Sequence, residues 1–247
     1  MKSLIRIVAL AALILPLAAP VFAAKGGNLD SAGTNVFDQA SLQRGASLFV
    51  QYCMGCHSMQ FQRYQRLVAD LGLTEEQVEQ FLIMGEREIT DYMMSSMPYE
   101  ESVEWFGKAP PDLSLTSRSR SPDWIFTFLR GYYLTDEGWN NTVLENPAMP
   151  HVLWDLQGIQ RAVTETRTES DGNETVVVVG LELEREGRLS PQEFDRVVRD
   201  ITAFMQYVGE PAKLKRQRVG IWVLLFLSLF TFLSYLLYRE FWKDVKK

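Results

Sequence analysis

Two uninterrupted apolar runs lie near the ends of the 247-residue chain, and polar and apolar positions alternate between them. The first run, residues 7–19, follows two basic residues and precedes residues 20–23, which place small side chains at the cleavage positions of a secretory signal peptide. We therefore predict that residues 1–23 are a signal peptide and that the mature chain begins at Ala24. An uncleaved anchor is the alternative, but the run is shorter than the roughly 20 residues that a membrane-spanning helix needs.

The second run, residues 219–238, carries no charge and predicts a transmembrane helix. At about 1.5 Å rise per residue, such a helix spans about 30 Å of hydrocarbon. A soluble core helix would carry a polar stripe, which this run lacks. Basic residues flank the run on both sides, so the positive charges do not fix its orientation. Export of the preceding domain fixes the orientation. It places residues 24–212 outside the cytoplasmic membrane and a tail of residues 239–247 inside.

The sequence between the runs is predicted to be mainly helical. Ser41 is a candidate N-cap for a helix that leads directly into the first cysteine. Residues 62–84 have the pattern of helix as well, with a capping box that begins at Thr74. Residues 98–122 are rich in Pro, Ser and Gly, which predicts irregular chain. Helix then resumes and is predicted to stop at Gly131.

Residues 161–185 change to an alternating pattern with a period of two. Together with Asp171-Gly172-Asn173, which is a turn signal, this pattern predicts a β-hairpin inserted into the helical chain. Ser190 and Pro191 then supply an N-cap and a first-turn proline. The helix that follows them is predicted to end at Gly209, just before the anchor.

Charge is distributed unevenly along the chain, whose formal net charge is −6. Residues 24–212 hold 15 Lys and Arg against 29 Asp and Glu, which leaves −14. Because binding phosphates requires a basic face, this balance excludes a nucleic-acid partner. Three of the acidic residues, Glu100, Glu101 and Glu104, are close in sequence and are candidates for a surface that steers a basic partner.

Both cysteines and one of the two histidines fall in Cys53-Met54-Gly55-Cys56-His57, the spacing used for covalent haem attachment. Two thiols three positions apart on one turn can add to the two vinyl groups of a haem, and the next imidazole can reach the iron. Thiol–disulfide enzymes place such a pair at the start of a helix, whereas this pair closes one. A tetrahedral zinc site lacks its remaining ligands. We therefore predict one covalently bound haem c.

A second axial ligand must come from elsewhere in the chain. A methionine thioether opposite histidine raises the reduction potential and suits an electron carrier. His151 is the other histidine, and Met97 and Met149, each followed by proline, are the two methionines favoured among nine. The sequence chemistry ranks these candidates only weakly, because methionine is also a common core residue.

Seven motifs resemble the cytochrome c1 family in order and spacing, and the resemblance covers nearly the whole mature chain. They are Arg44-Gly45, Tyr52-Cys53-Met54-Gly55-Cys56-His57-Ser58-Met59, Pro110-Pro111-Asp112-Leu113-Ser114, Arg118-Ser119-Arg120, Leu129-Arg130-Gly131-Tyr132, Asn146-Pro147-Ala148-Met149-Pro150 and Glu240-Phe241-Trp242-Lys243. The resemblance implies a mainly α fold, a class I cytochrome c-like domain with the β-hairpin inserted, and one C-terminal transmembrane helix.

The resemblance also implies roles for individual residues of the haem site. Cys53 and Cys56 would bear the haem, His57 would be the proximal iron ligand, and Met149 would be the distal ligand in preference to the other two candidates. No catalytic residue is implied, because the protein would make and break no substrate bonds.

Two further positions are implied to lie beside the haem. Arg120 resembles the arginine that pairs with a haem propionate, and a guanidinium fork is suited to a carboxylate. Arg118 is near enough in sequence to compete with it. Pro111, with Pro110, would form part of the wall beside the haem edge; stiffening of the loop is the plainer explanation.

The function that the resemblance implies is that of the haem subunit of a bacterial cytochrome bc1 complex, a quinol:cytochrome c oxidoreductase. It would pass electrons from the Rieske iron–sulfur subunit to cytochrome c, beside cytochrome b, in a dimeric complex of the inner membrane with the haem domain in the periplasm. Two alternatives stay open: the haem subunit of another membrane-bound respiratory complex such as a terminal oxidase, and an anchored dithiol oxidoreductase without haem.

Overall fold

A computed structural model describes residues 29–168 and 174–245 of the chain. The predicted signal peptide, the predicted mature start at Ala24 and the turn at residues 171–173 lie outside these ranges, as do the last two residues of the tail. Within them the chain forms nine helices and six strands. The mainly α fold with an inserted hairpin is confirmed.

The helices occupy about half of the described chain. They are α1 (Gln39–Tyr52), α2 (Tyr64–Leu71), α3 (Glu75–Phe81), α4 (Tyr99–Phe106), α5 (Thr116–Ser119), α6 (Pro122–Arg130), α7 (Trp154–Gln157), α8 (Pro191–Gly209) and α9 (Lys213–Phe241). The strands form three antiparallel pairs. They are β1 (Met59–Arg63) with β2 (Tyr92–Met93), β3 (Tyr132–Thr135) with β4 (Gly138–Asn141), and β5 (Gly158–Thr168) with β6 (Glu174–Glu186).

The centre of the fold is the crossing of α1 and α8. Gly45 lies at the crossing, and a Cβ atom built on it would stand 2.1 Å from the backbone oxygen of Asp200. The two helices therefore approach closely because this position carries no side chain. The rings of Phe49 and Phe204, 5.8 Å apart, pack next to the contact. Arg44 closes the outer side through an ion pair with Asp200, Nε to Oδ2 at 2.6 Å.

The prediction of Ser41 as the N-cap of α1 is wrong. Asp38 is the cap, and its carboxylate accepts a hydrogen bond from the backbone N–H of Ser41 at 3.1 Å. The Ser41 hydroxyl instead donates to Asp200 Oδ1 at 2.5 Å in the helix crossing. Aspartate and serine are both favoured at the N-cap position. The contact of Ser41 with Asp200 on α8 leaves Asp38 as the cap.

The predicted helix over residues 62–84 is interrupted. Its first residues belong to β1, which pairs with β2 some 30 residues later in the chain. Gly72, at φ +67°, then ends α2. The capping box between Thr74 and Gln77 at the start of α3 is confirmed, with hydrogen bonds of 2.9 and 3.2 Å.

The prediction of irregular chain over residues 98–122 is wrong for α4 and α5. Helix α4 begins after Pro98, has Glu100 and Glu101 in its first turn, and ends at Gly107 in the left-handed conformation. Acidic residues interact favourably with the positive end of a helix dipole, so local chemistry supports this helix. The frequency of Pro, Ser and Gly in the segment obscured these signals.

The boundaries predicted for the helices on either side of the hairpin are confirmed. Helix α6 ends at Arg130 with Gly131 as its C-cap. Helix α8 begins with Pro191 after the cap residue Ser190 and ends at Gly209.

The predicted hairpin is confirmed by β5 and β6, which pair from Gly158 with Glu186 outward to Thr168 with Glu174. It attaches to the body near its base, where Gln160 donates hydrogen bonds to the carbonyls of Arg130 and Tyr132, each at 3.0 Å. Further out the ribbon is exposed.

Helix α9 is 29 residues long and contains the whole predicted transmembrane run. The mean hydropathy of its apolar 18-residue window is 2.2, and none of that window is buried against the rest of the chain. Of the helices in the described residues, it is the one whose length and composition suit a membrane span.

Candidate functional site

The two cysteines and His57 lie on one turn at the end of α1. Cys53 caps the helix, and its N–H donates to the carbonyl of Phe49 at 2.8 Å. The chain then turns so that the N–H groups of Cys56 and His57 both donate to the Cys53 carbonyl, at 3.1 and 2.8 Å. Two thiols and an imidazole therefore share a single turn, and both cysteines are free thiols.

The imidazole of His57 is held in one orientation. Its Nδ1 lies 2.8 Å from the backbone oxygen of Pro111. Because a carbonyl oxygen only accepts, Nδ1 carries the proton and Nε2 keeps its lone pair, the arrangement typical of metal-binding histidine. The ring is 8% exposed, and this burial lowers the pKa of His57, so the imidazole is neutral. The sequence placed Pro111 near the site but did not identify this contact, which spans 54 residues.

A largely apolar cleft opens beside this turn. A cavity of about 460 Å³ and a smaller one of about 90 Å³ meet there. The larger volume falls within the range of about 300–1,000 Å³ usual for cofactor and ligand sites. Six residues line both cavities: Cys53, His57, Lys108, Pro111, Ala148 and Met149. Cys56 and Pro110 line the smaller cavity, and Arg120 lines the larger one.

The three candidates for a second iron ligand lie in different places. Met149 lines the cleft together with Cys53 and His57, whereas Met97 and His151 do not line it. The backbone N–H of Met97 donates to Ser95 Oγ at 3.0 Å, in the loop that supports the turn. His151 is only 3% exposed and stacks on Tyr132, away from the cleft. Burial lowers the pKa of His151 to about 4, which leaves its ring neutral.

Two basic side chains border the cleft. Arg120 lies with its guanidinium carbon 5.4 Å from the centre of the Trp124 ring. Arg118, its competitor in the sequence, does not line the cleft. Lys108 lines both cavities and was not predicted from the sequence, because a lysine between Gly107 and Ala109 carries no signal of its own. Among the described residues neither Arg120 nor Lys108 forms an ion pair.

Aromatic rings form one wall of the larger cavity. Trp124 and Phe128 stack at 4.9 Å with an angle of 7° between them, and Phe128 meets Tyr132 edge-on at 5.3 Å. Trp124 and Phe128 are four positions apart, so α6 presents both on the face that lines the cavity, whereas Tyr132 is the first residue of β3 and does not line it. Their spacing predicts the helix, but it does not predict that these rings line a cavity.

The pKa values of the two thiols are shifted in the opposite direction from that of a reactive thiol in a thiol–disulfide enzyme. Burial raises the pKa of Cys53 to about 12 and also raises that of Cys56. Reactive dithiols need a lowered pKa, since the thiolate is the nucleophile. In the described part of the chain there is also no group of three or more His, Cys, Asp and Glu that could hold a metal ion such as zinc.

Comparison with known proteins shows the family of the chain. The model of the Cytochrome C1 family matches residues 31–157 and 184–245. The chain is 48% identical over 239 residues to a cytochrome c1 of Allochromatium vinosum, which covers 95% of this chain and 97% of that protein. It is 41% identical over 239 residues to the ammonia monooxygenase gamma subunit of Nitrosomonas europaea, covering 94% and 97%.

More distant relatives extend to mitochondria. Identity to the mitochondrial heme protein cytochrome c1 of Saccharomyces cerevisiae is 25% over 233 residues, or 85% of this chain and 69% of that one. The predicted class I cytochrome c-like fold is consistent with these matches. With the family model matching most of the chain on both sides of the hairpin, the chain belongs to the cytochrome c1 family.

Proposed function

We propose that this protein is a membrane-anchored electron carrier that holds one covalent haem c and works as the haem subunit of a cytochrome bc1 complex. The observation that carries the proposal is the cleft itself. Two free thiols, an imidazole with an available Nε2 and the Met149 side chain border one apolar space. Family membership supports the same conclusion.

The residues present fit a haem in number and chemistry. Cys53 and Cys56 would each form a thioether, while His57 Nε2 and the Met149 sulfur would be the two axial ligands. The haem would supply a centre that gains and loses one electron. Because its Nδ1 is engaged by the Pro111 carbonyl, His57 would offer Nε2 to the iron, and a thioether as the other protein ligand would favour a high potential.

The rest of the cleft would hold and shield the group. The wall of Trp124 and Phe128 excludes water from one side, which strengthens every charge interaction inside. Arg120 and Lys108 line the larger cavity and would be available to pair with the two haem carboxylates, and a guanidinium can make the bidentate contact. Arg120 is therefore proposed as the propionate partner rather than Arg118.

Electrons would arrive from the Rieske iron–sulfur subunit and leave to a cytochrome c, with cytochrome b as the neighbouring subunit of a dimeric complex. Helix α4 supports the transfer of electrons to a basic cytochrome c, because its Phe106 lines the cleft while its acidic residues are exposed. The acidic face of Glu100, Glu101 and Glu104 would steer a basic carrier. Stopped-flow rates should then fall as ionic strength rises, and rates independent of salt would contradict the steering.

The proposed location is the bacterial inner membrane. Residues 1–23 would direct export, residues 24–212 would lie in the periplasm, residues 219–238 would span the membrane within α9, and residues 239–247 would face the cytoplasm. N-terminal sequencing of the membrane-bound protein should begin at Ala24. Retention of Met1 would contradict the cleaved signal.

The axial assignment is tested by a pair of variants in the full-length chain, expressed with covalent haem maturation. Met149→Leu should abolish the near-infrared sulfur-to-iron band of the oxidised protein. Met97→Leu, the matched control, should keep it. The opposite pattern would transfer the ligand role to Met97.

A second candidate is the haem subunit of a different membrane complex. It is favoured by one observation, the similarity to a relative named as an ammonia monooxygenase subunit. Gentle purification of the native assembly separates the two. Copurification with cytochrome b and a Rieske protein supports the first proposal, and copurification with an oxidase or a monooxygenase supports the second.

A further inference from the structure

His151 is a buried histidine that does not line the cleft. It is the last ring in a row of aromatic contacts that runs from Trp124 through Phe128 and Tyr132. Its ring lies parallel to that of Tyr132, at 7° with 4.8 Å between ring centres. Trp139 meets it edge-on at 5.1 Å. Offset-stacked and edge-on contacts are the favourable arrangements of aromatic rings, so His151 is held from two sides.

Tyr132 connects this ring cluster to Met149. Its hydroxyl donates a hydrogen bond to the backbone carbonyl of Met149 at 3.1 Å. One side chain therefore contacts the chain at Met149 and again at His151, two residues later. Tyr132 is itself immobilised, because it is 1% exposed, pairs with Asn141 on β4 and accepts a hydrogen bond from Gln160 on its carbonyl.

The end of the segment that carries Met149 is less well fixed than its start, where the backbone N–H groups of Thr142, Val143 and Asn146 donate hydrogen bonds. Residues 142–150 belong to no helix or strand. Pro147 and Pro150 have no backbone N–H, so they cannot donate a hydrogen bond that would fix the chain. Beyond Pro147, Met149 packs against the core, and the Tyr132 hydroxyl donates a hydrogen bond to its carbonyl.

We propose that Tyr132 and His151 are positioning residues that hold the Met149 side chain at the cleft, a role that rests on the proposed function of Met149 as the sulfur ligand. The Tyr132 hydroxyl fixes the Met149 carbonyl, and the stacked imidazole fixes the chain just beyond Pro150. When either contact is lost, Met149 leaves the cleft more often and a competing ligand gains access.

Titration of the oxidised full-length holoprotein with free imidazole, followed by loss of the near-infrared band, measures this access. Tyr132→Phe keeps the ring and removes the hydrogen bond, so half-displacement should need about tenfold less imidazole. Tyr133→Phe is the matched control, because the next residue of β3 faces the other side of the strand. It should stay within about twofold of the native protein.

His151 is tested by loss and rescue of the stacked ring. His151→Ala should lower the half-displacement concentration about tenfold, whereas His151→Phe, which restores an aromatic ring, should return it to within about threefold of the native value. Covalent haem content, measured on the same samples, should be equal in all variants. A general folding defect would lower it.

The outcomes separate this inference from the proposed function. Unchanged imidazole affinity in both Tyr132→Phe and His151→Ala overturns the positioning role. If Met149→Leu has abolished the band in the same series, the ligand assignment survives that result. If Met149→Leu keeps the band, Met149 is not the ligand and both proposals fail.

Discussion

The helical core around the cleft and the β-hairpin differ in nearly every physical respect. The core is built on the crossing of α1 and α8, where Gly45 and Phe204 are part of a close contact. In the hairpin Val176 is 70% exposed, and the contacts with the body lie near its base. The family model matches the core and leaves out residues 158–183, which is most of the hairpin. The part that surrounds the cleft is thus the part that the family shares.

The largest difference between the core and the hairpin is expected in the free energy of unfolding when a large apolar side chain is truncated to alanine. Phe204 is fully buried against Phe49 and Tyr207. Phe204→Ala should lower the free energy of unfolding by about 3–5 kcal/mol, from lost burial and the cavity left behind. The exposed Val176→Ala should change it by less than about 0.5 kcal/mol. Thermal unfolding of the detergent-solubilised holoprotein measures both, and equal effects would contradict the comparison.

Replacement of a glycine by alanine, which adds one methyl group, should also affect the core and the hairpin differently. Gly45→Ala places a Cβ 2.1 Å from the Asp200 backbone oxygen, so α1 and α8 must separate, at a cost of about 1–3 kcal/mol. Gly180, in the hairpin, has no atom within 4 Å of the same added group, and Gly180→Ala is the matched control. The midpoint of thermal unfolding should fall for Gly45→Ala alone. A tolerated Gly45→Ala would mean that the crossing is not tight.

A smaller effect is expected at the edge of the cleft. Arg120→Gln removes a positive charge from the proposed propionate site, which should lower the haem midpoint potential by about 40 mV, equivalent to about 1 kcal/mol for one electron. Arg118→Gln, two positions away and outside the cleft, should leave the potential unchanged. Redox titration of the two variants compares them directly. Equal shifts would remove the special role of Arg120.

The smallest effect is expected from shortening the hairpin. Deleting residues 164–179 and joining the strands through Asn-Gly keeps Gln160, whose amide supports the carbonyls of Arg130 and Tyr132. Haem content and the near-infrared band should be unchanged in this variant. Loss of the haem would show that the hairpin belongs to the functional core.

Features with a local cause were predictable from the sequence. The cysteine turn, the capping box at Thr74 and the stop of α6 at Gly131 each depend on a few consecutive residues. The paired strands of the hairpin followed from their alternating pattern in the same way. These predictions succeeded because backbone conformation within a few residues is set largely by local sterics and hydrogen bonding.

Features with a distant cause were not predictable. The Pro111 carbonyl reaches His57 across 54 residues, and β1 needs β2 as its partner. Asp38 and Ser41 are both acceptable N-cap residues by type. Because the Ser41 hydroxyl is bonded to Asp200 on α8, it is Asp38 that caps the helix. In each case the deciding contact exists only after the chain has folded.

The central claim is that one haem is bonded to the cysteine turn and held in the cleft. Mass spectrometry of peptides from the purified, natively matured chain tests it most directly, on the peptide that contains Cys53 and Cys56. The account predicts that this peptide carries the added mass of one haem and that neither thiol reacts with an alkylating reagent. A colourless protein in which both thiols are alkylated would contradict it.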